Sequence, residues 1–411
     1  TGPQDSSIKF HRHLVENIVN AVTEIFNQAR YADKVIERVL KSEKKWGGRD
    51  RRFVAESIYE MVRWWRYLGG LAGFEPTEKS MSREDVWQLW AAWCFNTYQI
   101  LPEWEEFKSF DKAAFAHRKS TMTSVALLES VPQWLYDYGL QELGSEWDEI
   151  LKSLNKPAEV FLRANTLRGT REELIKRLRA EGIEGMAVPE VESAVRLLTR
   201  KNVKMTEAFK QGYFEVQDAA SQLIAPLLHV EPGMKVVDAC AGGGGKSLHL
   251  AALMKNKGKL ICMDVHDWKL NDLKERANRN RVEIIETREI DSTKVIKRLE
   301  SDVDRLLLDV PCSGLGVLRR NPDTKWKISL EEIEKLQTTQ AEIIETYSKM
   351  VKPGGMMVYA TCSILPGENQ NQVRKFLVNN NQDWQLVEQM HSFPHREGFD
   401  GFYAALLRRK D

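Results

Sequence analysis

An excess of either charge is missing from this chain: 60 Lys and Arg nearly cancel 59 Asp and Glu over 411 residues. Global charge therefore argues neither for nor against a nucleic-acid partner, and only local clusters can speak. Long apolar runs are missing too. No stretch approaches the roughly 20 residues that cross a bilayer as a helix, so no membrane partner is expected. Cysteine is scarce: five residues, at 94, 240, 262, 312 and 362, odd in number and widely spaced. That argues against a disulfide framework and fits the reduced thiols of a cytoplasmic protein. No pair has zinc-finger spacing, so no metal is expected. Low-complexity tracts and clear repeats are absent. The opening Thr1-Gly-Pro-Gln-Asp-Ser-Ser7 is polar, and no export signal is expected there.

What is present divides into three stretches, as the length of the chain suggests. Residues 1–130 read as an all-α domain. Val15, Ile18, Val19, Val22 and Ile25 recur at helical spacing, and Phe53 to Trp65 forms a second amphipathic stretch. Trp87, Trp90, Trp93 and Tyr98 continue the pattern, and an aromatic stripe of this kind predicts helix packing. Between the helices lies a basic turn, Lys41 to Arg52, centred on Gly47-Gly48; Arg49, Arg51 and Arg52 in it are candidates for gripping phosphates.

Residues 131–221 read as a small α+β module. Strands are expected over 159–166, 194–198 and 212–216, with a helix over 171–181. The strand–helix–strand rhythm is that of RNA-binding sheets, although the aromatic ribonucleoprotein motif is missing. Arg163 on the first of these strands is a candidate RNA contact.

Residues 222–411 change rhythm. Apolar β-rich runs at 235–239, 259–263, 282–285, 305–309 and 355–360 alternate with helical stretches, which predicts a parallel, doubly wound sheet. The whole is an α/β chain with a C-terminal Rossmann-like domain. Its first strand ends at Asp238 and runs through Ala239, Cys240 and Ala241 into Gly242, Gly243, Gly244, Gly245 and Lys246. Consecutive glycines let a backbone approach a ligand closely. The spacing matches neither a P-loop nor a dinucleotide fingerprint. Asp264 ends the next strand, where a carboxylate accepts ribose hydroxyls, and Asp291 follows the third, within reach of an adenine edge. Acidic, phosphate-free surroundings suit the cationic sulfonium of S-adenosylmethionine. Lys246 is placed either on the methionine carboxylate or near the thiols.

Two cysteines each end an apolar run, in Asp309-Val-Pro-Cys-Ser-Gly314 and Tyr359-Ala-Thr-Cys-Ser363. Amine methyltransferases usually carry an Asp/Asn-Pro-Pro-aromatic tetrad at the first of these positions; a thiol there favours attack on a ring carbon. Pyrimidine carbon 5 is a poor nucleophile until a thiolate adds to carbon 6. The enzyme must then be released, so one thiol can add while a second assists. Cys94, Cys240 and Cys262 read instead as small buried hydrophobes. Arg319, Arg320 and Lys325 follow the Cys312 loop and are expected at the mouth of the site, on RNA phosphates, with Trp326 stacking or packing beside them. The target base must be unpaired or flipped out.

These motifs, together with Phe214 to Ser221, Glu368-Asn369 and Asp400 to Tyr403, resemble the RNA cytosine-5 methyltransferases of the bacterial Sun (Fmu) type. The resemblance covers residues 159–411, and Gly47 to Leu68 with Tyr98 to Pro102 extends it to a NusB-like helical RNA-binding domain. It implies that Cys362 is the nucleophile, that Cys312 assists product release and that Asp309 hydrogen-bonds the cytosine. It implies S-adenosylmethionine as cofactor and RNA as partner, with small-subunit ribosomal RNA favoured, transfer RNA second and a monomeric enzyme. One departure stands out: Ala-Pro-Gly-Gly-Lys is usual at the glycine loop, and without the proline this loop is freer. A noncatalytic assembly factor on the same scaffold, or a DNA cytosine methyltransferase attacking through Cys312, are the competing readings.

Overall fold

The computed structural model describes residues 8–77 and 80–411. The chain forms two compact units. Unit one holds the described residues up to Asn155 together with Leu318–Leu330, and unit two holds Lys156–Val317 and Glu331–Asp411.

Unit one is helical. Helix Arg12–Asn27 turns Leu14, Val15, Ile18, Val19, Val22 and Ile25 inward, the single apolar face that its spacing requires. Helix Arg83–Tyr98 starts at Ser82, whose hydroxyl accepts the Asp85 N–H at 3.1 Å. Val86, Trp87, Leu89, Trp90 and Trp93 on it are all buried. The tryptophan stripe is therefore core, with Trp90 stacked on Trp104 and Phe107 at centroid distances of 6.1 and 5.7 Å. Helices Gln133–Leu143 and Trp147–Leu154 also belong to this unit.

Leu318–Leu330 joins the same unit although it follows the Cys312 loop in sequence. Its Trp326 is buried, and the indole N–H donates to the Val62 carbonyl at 2.7 Å. The Asp323 carboxylate accepts the Ala32 N–H at 2.9 Å, at the start of helix Ala32–Ser42.

Unit two carries two sheets. The smaller is antiparallel, with β1 (Phe161–Ala164), β2 (Gly185–Ala187), β3 (Ala194–Leu197) and β4 (Phe214–Val216) in the order β2-β3-β1-β4. Helix Arg171–Ala180 covers it and is closed by a Thr170–Glu173 capping box. β2 escaped the sequence reading because three residues containing a glycine carry almost no strand signal.

The larger sheet has seven strands: β5 (Lys235–Asp238), β6 (Lys259–Asp264), β7 (Ile285–Glu289), β8 (Val303–Asp309), β9 (Val351–Thr361), β10 (Trp384–Ser392) and β11 (Phe402–Arg409). The order is β10-β11-β9-β8-β5-β6-β7, parallel from β7 through β9, with β11 and β10 antiparallel at one edge. Both faces are covered, and alternate residues feed two cores. Leu307, Val236 and Val358 enter one, while Leu306, Leu308, Val237 and Tyr359 enter the other. That is why these strands read as unbroken apolar runs. The strand order reverses between β5 and β8, so a crevice opens at their carboxyl ends.

Candidate active site

Every parallel strand near the reversal ends on a polar or reactive residue. β5 ends at Asp238, β6 at Asp264 and β8 at Asp309, and β9 runs through Thr361 directly into Cys362. β8 and β9 are in register with Asp309 opposite Ala360. The loops that follow them bring Cys312 Sγ within 3.3 Å of Cys362 Sγ.

Two devices hold the thiols there. Glu368 is fully buried, and its carboxylate accepts the Ser313 N–H at 2.7 Å, the Ser313 hydroxyl at 2.6 Å and the Ser363 hydroxyl. Each serine directly follows one of the cysteines, so one carboxylate organises both loops. Gln340 adds a third strut, donating to the Pro311 carbonyl at 2.8 Å and to Glu368 at 3.2 Å. The second device is a close backbone approach. Gly316 donates to the Cys362 carbonyl at 2.9 Å, and a Cβ on Gly316 would lie 2.2 Å from the Gly401 carbonyl oxygen. Only glycine fits at that crossing. Nothing in the sequence marks Glu368 as an organiser, because a carboxylate seven residues past the end of β9 carries no sign that it will be buried.

Lys246 reaches the same place from the first turn of helix Gly245–Leu253, with Nζ 2.7 Å from Asp309 Oδ2. Burial works against its ammonium, but Asp309, the Cys362 sulfur and Asp238 outweigh it and hold its pKa above the ordinary lysine value. The hydrogen bond to Cys362, followed by burial, pushes the Cys312 thiol well up. Cys312 is therefore held as the neutral thiol, and the two sulfurs share a hydrogen bond in which either can donate.

The glycine loop lies beside these groups. Gly242 and Gly244 take left-handed backbone conformations, at φ +53° and +90°. A Cβ on Gly244 would lie 2.0 Å from Leu273 Cδ1, so the helix Asp267–Arg279 that carries Leu273 forces glycine there. The Gly242 N–H donates to Asp264 at 2.9 Å, and the His266 N–H donates to the other oxygen of that carboxylate at 2.9 Å. Asp238 is 1% exposed; Oδ2 accepts the Ser247 hydroxyl at 2.6 Å, and Oδ1 has no protein partner. Burial pushes its carboxyl up to about 7. Gly243 and Gly245 complete the turn, Ala241 is buried under it and Cys240 is half-buried. Asp291 stands exposed just after β7.

The structure thus brings together Cys312, Cys362, Asp309 and Lys246, with Asp238, Asp264 and the glycine loop alongside. Two of the residues expected on RNA, Arg163 and Lys325, are instead buried. Arg163 is 1% exposed and its Nε donates to Gln217 at 2.8 Å, so it is an interior residue of the small sheet. Lys325 is 2% exposed, its ammonium donates to the Arg63 carbonyl at 2.8 Å, and burial drives its pKa well below the lysine value. It is not the solvent-facing phosphate contact that the sequence suggested. Arg319 is buried in the same strap and Arg320 half-buried. Their segment, Leu318–Leu330, belongs to the helical unit, in which Trp326 is buried. In the basic turn, Arg51 donates to the carbonyls of Leu40, Glu43 and Trp46 at 2.7, 3.0 and 3.1 Å, which makes it a structural tie. Arg49 and Arg52 remain exposed. Among the described residues no helix is long and apolar enough to cross a membrane, and no cluster of three metal-ligating side chains occurs.

Residues 225–408 match the family model described as 16S rRNA methyltransferase RsmB/F, and residues 131–204 match its ferredoxin-like domain. The ribosomal RNA small subunit methyltransferase B of Serratia proteamaculans is 37% identical over 284 residues, 67% of this chain and 66% of that protein. The probable ribosomal RNA small subunit methyltransferase B of Bacillus subtilis is 34% identical over 299 residues, 68% of this chain and 67% of that protein. The chain belongs to the RsmB/F (Sun/Fmu-type) methyltransferase family. Its matched stretch spans about two thirds of the length of these relatives. NSun6 from Pyrococcus horikoshii, solved with SFG, shares the fold at a TM-score of 0.63 and 23% identity over 69% of this chain and all of its own.

Proposed function

We propose that this RsmB/F family member methylates carbon 5 of a cytosine in RNA, using S-adenosylmethionine and a transient covalent bond to Cys362. The 3.3 Å approach of the two thiols, beside the Lys246–Asp309 pair, carries the reading. A single nucleophile would need no second sulfur at that distance. Small-subunit ribosomal RNA is the substrate favoured by the names of the relatives.

The residues present fit the cofactor. The glycine loop offers its backbone without side chains in the way. The unpaired Oδ1 of buried Asp238 can accept a hydrogen bond, and Asp264 ends the second strand, where ribose hydroxyls are received. SFG, the compound solved with NSun6, is an analogue of S-adenosylmethionine, which supports the same choice. When bound, the cofactor supplies an electrophilic methyl group.

The remaining steps belong to the chain. Lys246 stabilises the Cys362 thiolate and holds one oxygen of Asp309, leaving the other for the cytosine amine or ring nitrogen. The Cys362 thiolate adds to carbon 6; Asp309 accepts a hydrogen bond from the cytosine amine, and the Lys246 ammonium beside it offsets the negative charge that spreads into the ring. Carbon 5, now enamine-like, takes the methyl group. The C6–S bond then breaks with its electron pair going to the Cys362 sulfur, and the C5–H pair forms the C5=C6 bond as the carbon-5 proton passes to the Cys312 sulfur, which has given its own proton to Cys362. Cys312 donates its S–H to the departing sulfur and thereby eases release. The test is incubation of the purified protein with methyl-labelled S-adenosylmethionine and deproteinised small-subunit ribosomal RNA, followed by nucleoside mass spectrometry. 5-Methylcytidine supports the reading. Label on another nucleoside, on transfer RNA alone or on nothing contradicts it.

A further inference from the structure

The geometry assigns Arg276 as a positioning residue for the cofactor loop: its guanidinium ties the Gly243 carbonyl to Glu215 on β4 of the small sheet. This rests on the proposed use of S-adenosylmethionine by the loop at Ala241 to Gly245.

Four consecutive glycines carry more conformational freedom than any other tetrapeptide, and ordering them opposes ligand binding. A proline in this loop would remove part of that cost, and this sequence has none there. Order has to come from outside the loop. Helix Asp267–Arg279 supplies it on two sides. Leu273 fills the space where a Gly244 side chain would be, with its Cδ1 2.0 Å from the ideal Cβ position. One turn on, Arg276 Nη1 donates to the Gly243 carbonyl oxygen and stands 3.1 Å from the ideal Gly243 Cβ.

Arg276 could not do this as a free surface cation, because a long side chain loses rotamer entropy when fixed. Its other nitrogen, Nη2, lies 3.0 Å from Glu215 Oε2. Glu215 is 3% exposed. Burial alone would raise its pKa, but Arg276, Asn280 and Arg279 overcome that and hold it below the ordinary glutamate range. Asn280 donates to Glu215 Oε1 at 2.6 Å, and Arg279 bonds the same oxygen. The anion is thus fixed from three sides, and the guanidinium it holds is pre-aimed at the loop. The fork geometry of arginine is essential, since two acceptors in different directions need two rigidly spaced donors.

The tie has a second consequence. Glu215 lies in the middle of β4, opposite Arg163 of β1, so it moves with the small sheet. A substrate that orders that sheet also orders the loop, and binding coupled through one element is reciprocal.

The experiment uses the full chain with Arg276→Ala, Arg276→Lys, Glu215→Gln and, as a control, Lys274→Ala, an exposed cation on the same helix that has no part in the tie. Hydrogen exchange of the ligand-free proteins reads the loop directly, and calorimetry with S-adenosylmethionine reads affinity. The expected result is faster exchange at Ala241 to Gly245 and roughly tenfold weaker binding in both Arg276 variants and in Glu215→Gln, the scale set by one charge-assisted hydrogen bond. Lys274→Ala should leave both loop exchange and affinity at the wild-type level. Wild-type exchange and affinity in Arg276→Lys overturn the assignment. Should the alanine variant fail to fold, the lysine and Glu215→Gln variants still decide. A wild-type protein that binds no S-adenosylmethionine overturns the cofactor reading, and the assignment with it. Wild-type binding with unaffected variants overturns the assignment alone.

Discussion

Glu368 bonds both Ser313 and Ser363, the residues that immediately follow the two active-site cysteines. Cys312 and Cys362 are 50 residues apart in sequence, yet their sulfurs lie 3.3 Å apart because a single buried carboxylate holds the two loops. The strands alone would deliver the thiols to the same sheet edge but not to contact distance.

Glu368→Gln should separate organisation from chemistry. The amide can keep an oxygen toward the Ser313 N–H but turns N–H donors toward the two serine hydroxyls, which must then accept instead of donate, and the charge that strengthens these bonds is lost. A buried hydrogen bond to a charged group is worth roughly 1.5–3 kcal/mol, and urea unfolding should show a loss of that order. Covalent capture of RNA should fall as well, although Glu368 touches neither sulfur.

Asp238 should give the ligand-free protein a pH signature. Its carboxyl is pushed from 3.8 to about 7 by burial. A group whose folded pKa is raised contributes stability that is complete below the unfolded pKa and is lost as pH rises through the folded one. Folding stability should therefore decline between about pH 4 and pH 7 by roughly 3–4 kcal/mol from this group. Asp238→Asn cannot ionise and should lack that slope. Urea unfolding at pH 4 to 8 checks this: the variant must gain on the wild type as pH rises. A constant difference across the range rejects the raised pKa.

The basic turn should split by residue. Arg49 and Arg52 are exposed, whereas Arg51 is occupied by three carbonyls. If the turn contacts phosphates, Arg49→Ala and Arg52→Ala should each flatten the dependence of log K on log salt by about 1. Arg51→Ala should instead lower stability, and Lys325→Met should leave the salt slope unchanged, because that ammonium is buried against the Arg63 carbonyl. Filter binding over a salt series distinguishes the two classes.

The sequence disclosed the parallel sheet and the chemistry more readily than the contacts made by charged residues. Leu306 to Asp309 and Met356 to Thr361 are unbroken apolar runs ending on functional groups, and a strand buried on both faces leaves just that trace. β10 left none, because it is an edge strand with Gln385 to Gln389 exposed. β11, Phe402-Tyr-Ala-Ala-Leu-Leu407, reads as well for a helix as for a strand, and only pairing with β9 and β10 decides it. The burial of Arg163 and Lys325 is illegible for another reason. A cation is normally solvated, and nothing local reveals that a carbonyl or a carboxylate distant in sequence will bury it. Arg163, paired with Gln217, and Lys325, on Arg63, are both such cases.

The division of labour between the thiols is the central claim, and a trap tests it most directly. Cys312→Ala is expressed in cells, the protein is denatured, and RNA that stays attached is isolated and sequenced. Addition through Cys362 with release aided by Cys312 predicts a stable protein–RNA species whose cross-linked peptide contains Cys362, and which disappears in the Cys312→Ala/Cys362→Ala double variant. A species that instead accumulates in Cys362→Ala and is linked through Cys312, or no adduct in either single variant, would contradict it.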